Sequence, residues 1–206
     1  MKHIIFILII CFSVSGIADQ NSNRANIYYQ DEYVEASNNI AFKLNGFWSF
    51  PNAETNEGQS DAKKIKYGYG ANASLSVFIA SGAPLPSVAI EVGLGAGNYH
   101  WADQKDGEEL YIIPAYSVAK LYLAPYGGIN PYIGLGGYMA YIHSAKKDNA
   151  IGVGTLLQGG IDFIGIDSTI YNLDVKKYFG SNNVNYAEHT AKISPLIISI
   201  GIGFKF

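Results

Sequence analysis

The chain has 206 residues, a formal net charge of −3, only 15% charged residues and a single cysteine. That charged fraction is below the roughly 25% of an ordinary soluble domain, one cysteine excludes a disulfide framework, and no basic cluster with interleaved aromatics points to nucleic acid. The surplus lies in 23 glycines and 16 tyrosines.

In chain order, Met1-Lys-His leads into an apolar run over residues 4–12, which ends in small residues before Ala18. A basic start, a short apolar core and a small-residue exit form a secretory signal over residues 1–18. The run is too short to cross a bilayer as a helix. Cys11 lies inside it behind Ile10, where a lipoprotein signal requires a small residue, so the exported chain carries no cysteine. Residues 19–37 are polar, with Tyr28, Tyr29 and Tyr33 out of period, and are expected to be a periplasmic N-terminal segment. No later stretch approaches the roughly eighteen apolar residues of a membrane helix.

From residue 38 on, eight runs alternate with period two, the signature of strands with one apolar face. In the first, Ile40, Phe42, Leu44, Trp48 and Phe50 share a face opposite Lys43, Asn45 and Phe47. The second sets Leu75, Val77 and Ile79 against Ser74 and Ser76, and the third sets Val88, Ile90, Val92 and Leu94 against Glu91 and Gly93. The fourth, 111–123, is ambiguous in phase. Placing Lys120 inward sends Ser117, Ala119, Leu121 and Leu123 out. The fifth directs Ile133, Leu135, Met139 and Tyr141 outward, and the sixth directs Ile151, Val153, Leu157, Ile161 and Phe163 outward. The seventh places Asn172, Asp174 and Lys176 inside. The eighth ends the chain with Leu196, Ile198, Ile200, Ile202, Phe204 and Phe206 on one face.

Longer polar connections (51–65, 102–110, 144–150, 180–191) alternate with tight Gly, Pro or Asp turns (80–86, 124–130, 165–167). Outer-membrane barrels have long external loops, short periplasmic turns and an apolar outside. The expected fold is therefore all-β, an eight-stranded antiparallel transmembrane β-barrel over residues 38–206, behind the signal and periplasmic segment. Tyr67, Tyr69, Tyr99, Trp48 and Trp101 are expected in the external aromatic girdle, and Tyr122, Tyr126, Tyr132, Phe163 and Phe206 in the periplasmic one.

Pro114 followed by Ala119-Lys-Leu-Tyr122, then Pro131-Tyr-Ile-Gly-Leu-Gly-Gly137, Asn172-Leu-Asp-Val-Lys-Lys-Tyr-Phe179 and the terminal 193–206 occur in this order. Together they resemble the outer-membrane protein W family of Gram-negative bacteria, most closely over residues 111–206. The resemblance implies a narrow hydrophobic passage for small apolar molecules in the outer membrane. The chain departs from the family pattern at Ser194-Pro195-Leu196, where an acidic residue, proline and tryptophan are usual, and at Phe204-Lys205, where tyrosine and arginine are usual.

Lys43, Lys120 and Lys176 are expected to meet Glu91, Asp162 and Asp174 as a charge plug in the lumen, because unpaired buried charges are expensive. Phe47, Tyr116, Tyr138, Leu156 and Tyr178 are expected to line the channel above it. A solute blocked by six charges would leave sideways. Pro114, which cannot donate a ladder hydrogen bond, is expected to mark that lateral exit; the alternative is a proline that merely begins its strand. Phe204 and Phe206 resemble the terminal assembly signal of outer-membrane barrels. Catalytic residues are not expected: His143 and Ser144 are adjacent, so a strand points them to opposite sides. His100, His143 and His189 carry no metal-ligand spacing, and no cofactor is expected. The expected partners are outer-membrane lipid, the barrel-assembly machinery and small hydrophobic solutes. Two functions fit these features: a conduit for such solutes, and a filled structural or surface-interaction barrel.

Overall fold

The structure is a computed structural model that describes residues 40–55, 65–82, 85–101, 109–123, 128–144, 147–181, 183–186 and 189–206. The expected signal, the N-terminal segment, Tyr126 and the side chain of Trp101 lie outside the described residues.

The alternating runs form β1 (Ile40–Thr55), β2 (Ile65–Gly82), β3 (Leu85–Trp101), β4 (Glu109–Tyr122), β5 (Ile129–Ser144), β6 (Lys147–Ile164), β7 (Thr169–Ser181), β8 (Asn183–Tyr186) and β9 (His189–Lys205). Each pairs antiparallel with its neighbour, and β9 pairs with both β7 and β1. Eight strands therefore close into a barrel, the fold expected from the alternation. Closure leaves no open edge in lipid, where an unpaired backbone group has no solvent partner. At the end of the chain, Ile40 N donates to Phe206 O (3.2 Å) and Phe206 N donates to Ile40 O (2.9 Å).

The register sets the barrel's geometry. The row of facing residues Ile40, Val77, Ile90, Ala119, Leu135, Leu157, Lys177 and Leu196 returns to β1 at Phe50, ten residues beyond its start. Eight strands with that stagger tilt by about 35–45° and enclose a lumen just wide enough for side chains to fill.

Side-chain parity follows the alternation. Ala41, Lys43, Asn45, Phe47 and Ser49 are buried, while Leu44, Trp48 and Phe50 are exposed on the outside. Lys120 is buried, so the inward phase holds for β4. The outward row of β9, Ile198, Ile200, Ile202 and Phe204, and Phe206 just after it are exposed as lipid requires.

Three girdle assignments fail. Tyr99, Tyr122 and Tyr132 are buried inside the barrel. They were placed by position along the strand, whereas parity decides the face: Tyr122 lies two residues from Lys120, and Tyr99 lies eight from Glu91. Trp48, Tyr67 and Tyr69 do face out at the loop end, as Phe163 and Phe206 do at the turn end.

The connection over 180–191 is more than a loop. β8 pairs with the beginning of β9, with Tyr186 opposite His189. Likewise β1 runs on to Thr55, opposite Ala191. Barrel strands of 13 to 18 residues exceed the roughly 9–11 needed to cross the hydrocarbon, so their loop ends extend beyond it. At the other end β6 returns to β7 through Ile166–Ser168, with Asp167 and Ser168 at φ 63° and 61°. Left-handed backbone at two adjacent positions reverses the chain within three residues.

Outer-membrane barrels keep short turns in the periplasm and longer connections outside, so the start of β1 and the end of β9 are expected on the periplasmic side. Cysteines introduced at Gln59 and Asn183 are expected to react with an impermeant thiol reagent on whole cells, and one at Ala83 is not. Positions 59 and 83 lie outside the described residues. Reaction at position 83 alone would invert the orientation.

Candidate functional site

The lumen is stacked in three layers. Toward the loops, Phe47, Tyr99, Leu110, Ile112, Tyr116, Val118, Tyr138, Ala140, Ile142, Leu156, Tyr178 and Ile197 form one buried apolar cluster. Toward the turns, Tyr122 and Tyr132 pack with Ala89 and Phe78. The charged residues lie between.

Rings fit this narrow bore because glycines stand opposite them. Phe47 faces Gly70, Tyr99 faces Gly68, Tyr116 faces Gly93, Tyr138 faces Gly154 and Tyr132 faces Gly160. A Cβ added at Gly68 or Gly93 would collide with the opposing tyrosine ring. Part of the glycine and tyrosine surplus is thus one feature, an aromatic ring laid over bare backbone on the neighbouring strand.

The middle layer joins all six expected charges. Lys43 Nζ lies 2.9 Å from Asp162 Oδ2 and 3.5 Å from Glu91 Oε2, and Lys120 Nζ lies 2.6 Å from Glu91 Oε2. Lys176 Nζ lies 2.7 Å from Asp174 Oδ2. Neutral groups take up the remaining lone pairs. Tyr122 OH donates to Asp162 (2.8 Å), Asn172 Nδ2 donates to Asp162 (2.6 Å), and Ser76 Oγ donates to Glu91 (3.1 Å). Gln158 Nε2 and Ser199 Oγ both donate to Asp174. Lys120 Nζ also stands 4.0 Å from the centroid of the Tyr132 ring, an attractive placement for a cation. Three cations and three anions bonded this fully suit a water-poor interior, where an unpaired charge is costly.

The five residues expected to line the upper channel all belong to the apolar cluster, with the Tyr138 and Tyr178 rings 4.7 Å apart edge to face. The cluster is larger than these five residues. Leu110, Ile112 and Val118 share parity with Lys120, so the signal for them was present in the phase of β4. Leu110 and Leu156 have no exposed surface, so the upper lumen is closely packed.

Pro114 does not begin its strand, because β4 starts at Glu109. It is paired with Ala140 on β5. Toward β3 the ladder stops at Leu94 opposite Ala115 and resumes, in the same register, at Gly97 opposite Ile112. Gly95 and Ala96 thus stand unpaired across from Pro114 and Ile113. Proline has no N–H to offer β3, and its ring packs over Gly95, with Cγ 3.3 Å from where a Cβ on Gly95 would sit. Outside this interruption is a recess of about 410 Å³ lined by Ala96, Gly97, Tyr111, Ile113, Tyr141 and His143. Inside it are Tyr116 and Ile112 of the apolar cluster.

His143 faces outward and its Nδ1 lies 2.7 Å from Asn149 Oδ1. Among the described residues no three His, Asp or Glu side chains converge as a metal site. The side chains of Ser144 and His189 lie outside the described residues.

The fold agrees with comparisons to known proteins. A Rickettsia typhi protein that bears an outer membrane protein name is 30% identical, over 90% of this chain and 93% of its own length. Among solved structures, the outer membrane protein OprG of Pseudomonas aeruginosa matches 82% of this chain and 97% of its own at 16% identity, with a TM-score of 0.56. The outer membrane protein AlkL, solved in lipid bilayers, matches 88% of this chain and 97% of its own at 17% identity, with a TM-score of 0.51. The OmpW family profile matches residues 86–206, reaching further toward the N-terminus than the motifs at 111–206. With the barrel, the relatives and that match together, the chain is an outer-membrane protein and belongs to the OmpW family.

Proposed function

We propose that the barrel is a narrow conduit for small hydrophobic molecules, which arrive from the loop end and leave sideways into the lipid at Pro114. The observation that carries this reading is the two-residue interruption between β3 and β4, with apolar side chains on its inner side and a recess on its outer side. Straight passage would require parting the bonded charges of the middle layer, whereas a step through the interruption exchanges one apolar environment for another. Phe47, Tyr116, Tyr138, Leu156 and Tyr178 would line the route and move aside as a solute passes. The role involves no catalysis and no cofactor. Its partners are the membrane lipid, the solute and, during biogenesis, the barrel-assembly machinery.

One observation favours the other reading, a filled structural barrel: the upper cluster is packed without exposed surface at Leu110 and Leu156. The two readings part at Pro114→Val. Valine restores a ladder donor and suits a strand, so the interruption should close. In a Gram-negative host lacking its own OmpW-family protein, uptake of a small apolar dye is expected to fall well below that of the parent, with equal amounts of folded barrel in the membrane. Equal uptake by both proteins would remove Pro114 from the route and leave the filled barrel as the better account.

A further inference from the structure

The wall contains a second proline break, and it is built differently. Pairing between β7 and β9 runs from Thr169 opposite Phe204 to Lys177 opposite Leu196 and stops there. The next position would set Tyr178 against Pro195, which has no N–H to donate. Here side chains bridge the strands instead. Ser194 Oγ donates to the Tyr178 carbonyl at 2.6 Å, and Lys177 Nζ donates to the Ser194 carbonyl at 2.7 Å. Lys177 has outward parity, is half-buried, and holds Nζ 5.9 Å from the centroid of the Phe179 ring. A cation on the lipid side of a barrel is unfavourable unless it reaches an acceptor or the interface, and the Ser194 carbonyl is such an acceptor.

The same apolar cluster lies behind both breaks. Tyr178 and Ile197 flank the second from inside, as Tyr116 and Ile112 flank the first. At the first break none of Gly95, Ala96, Ile113 and Pro114 carries a side-chain donor, so nothing on those residues can bridge it. The two breaks therefore differ in one respect that matters for a membrane wall, namely whether side chains replace the missing ladder bond.

We propose that Ser194 and Lys177 form a latch that holds the β7–β9 break shut, confining any lateral opening to the β3–β4 side. The latch stands on the geometry alone, and its consequence for solutes rests on the conduit function proposed above. The latch predicts two independent results.

In the first, the full-length protein is refolded into lipid vesicles and backbone amide exchange is followed by mass spectrometry. Ser194→Ala and Lys177→Met are each expected to speed exchange in peptides spanning 176–181 and 193–197 by about three- to tenfold, the effect of losing one hydrogen bond. Ser194→Thr, which keeps the hydroxyl, should behave as the parent, and peptides spanning 88–95 should not change. Unchanged exchange at the seam, or equal acceleration in every strand, would overturn the latch.

In the second, dye uptake is measured in whole cells. With Pro114→Val closing the first break, addition of Ser194→Ala is expected to restore at least about half of the parental uptake, since releasing a single bond of this kind shifts a closed seam severalfold toward opening. Faster exchange without recovered uptake would refute control of the exit by the latch. If the parent gives no more uptake than empty cells, the conduit reading fails, and exchange alone decides the latch.

Discussion

Asp174→Ala is expected to destabilise the barrel by about 3–5 kcal/mol, the usual consequence of stripping one partner from a buried ion pair. Asp174 is the carboxylate of Lys176, at 2.7 and 2.9 Å from its two oxygens, and it also accepts from Gln158, Tyr132 and Ser199. Alanine would leave Lys176 buried without its bonded carboxylate; the Tyr116 ring stands 5.5 Å away, and a cation over a ring recovers only about 0.5–2 kcal/mol. Lys176 would then be a buried cation stripped of its bonded partner, which is unfavourable. Urea unfolding of protein inserted in vesicles measures the loss. Leu173→Ala, one residue away on the lipid face, removes apolar contact without a charge defect and should shift the midpoint less. Joining Asp174→Ala to Lys176→Met should recover part of the loss, because the orphaned charge is gone. A midpoint for Asp174→Ala equal to that of Leu173→Ala would show that the charge layer does not hold the barrel together.

That layer shows how far sequence reasoning reached. Alternation identified which residues face inward, and one buried lysine sufficed to set the phase of β4, because a one-residue slip would have turned Lys120 to lipid. The identity of the partners was not legible. Lys43 bonds to Asp162, 119 positions away, and only the ten-residue stagger of the closed barrel brings β1 and β6 to the same depth. Cross-strand glycine and tyrosine pairs were hidden for the same reason, since they depend on register and not on spacing within a strand. Where depth along a strand was used in place of parity, as for Tyr99, Tyr122 and Tyr132, the assignment failed. β8 is not legible because Asn183-Val-Asn-Tyr186 is only four residues long, too short for an alternating pattern to stand out. Pro195 was visible as part of a motif, but its effect on the ladder required knowing that Tyr178 stands opposite. Ser194 and Lys177 could be seen as neighbours of one another only after that.

Deleting Phe206 is expected to reduce the amount of folded barrel in the outer membrane more than any single outward substitution on β9. The residue contributes in two separable ways. Its backbone exchanges both hydrogen bonds with Ile40 and so completes the seam where the first and last strands meet. Its ring, exposed beside the turn end together with Phe204, suits the lipid–water boundary where aromatic side chains anchor barrels. Each hydrogen bond contributes about 0.5–1.5 kcal/mol net, a modest fraction of a barrel's stability. A large deficit would therefore arise during assembly, when the terminal strand must be selected and paired. Phe206→Ala separates the two contributions, because it keeps the backbone bonds and loses the ring. If the ring is the assembly signal, Phe206→Ala should lower folded protein in membranes nearly as far as the deletion, while both variants refold in vitro into vesicles with close to parental stability. If the seam bonds dominate, Phe206→Ala should assemble well and only the deletion should show weaker unfolding resistance in vesicles. Normal amounts of the deletion variant in cells would exclude Phe206 from assembly, and parental unfolding resistance of the same variant in vesicles would exclude the seam role as well. The ladder from Ala41 opposite Lys205 upward would then be sufficient to close the barrel.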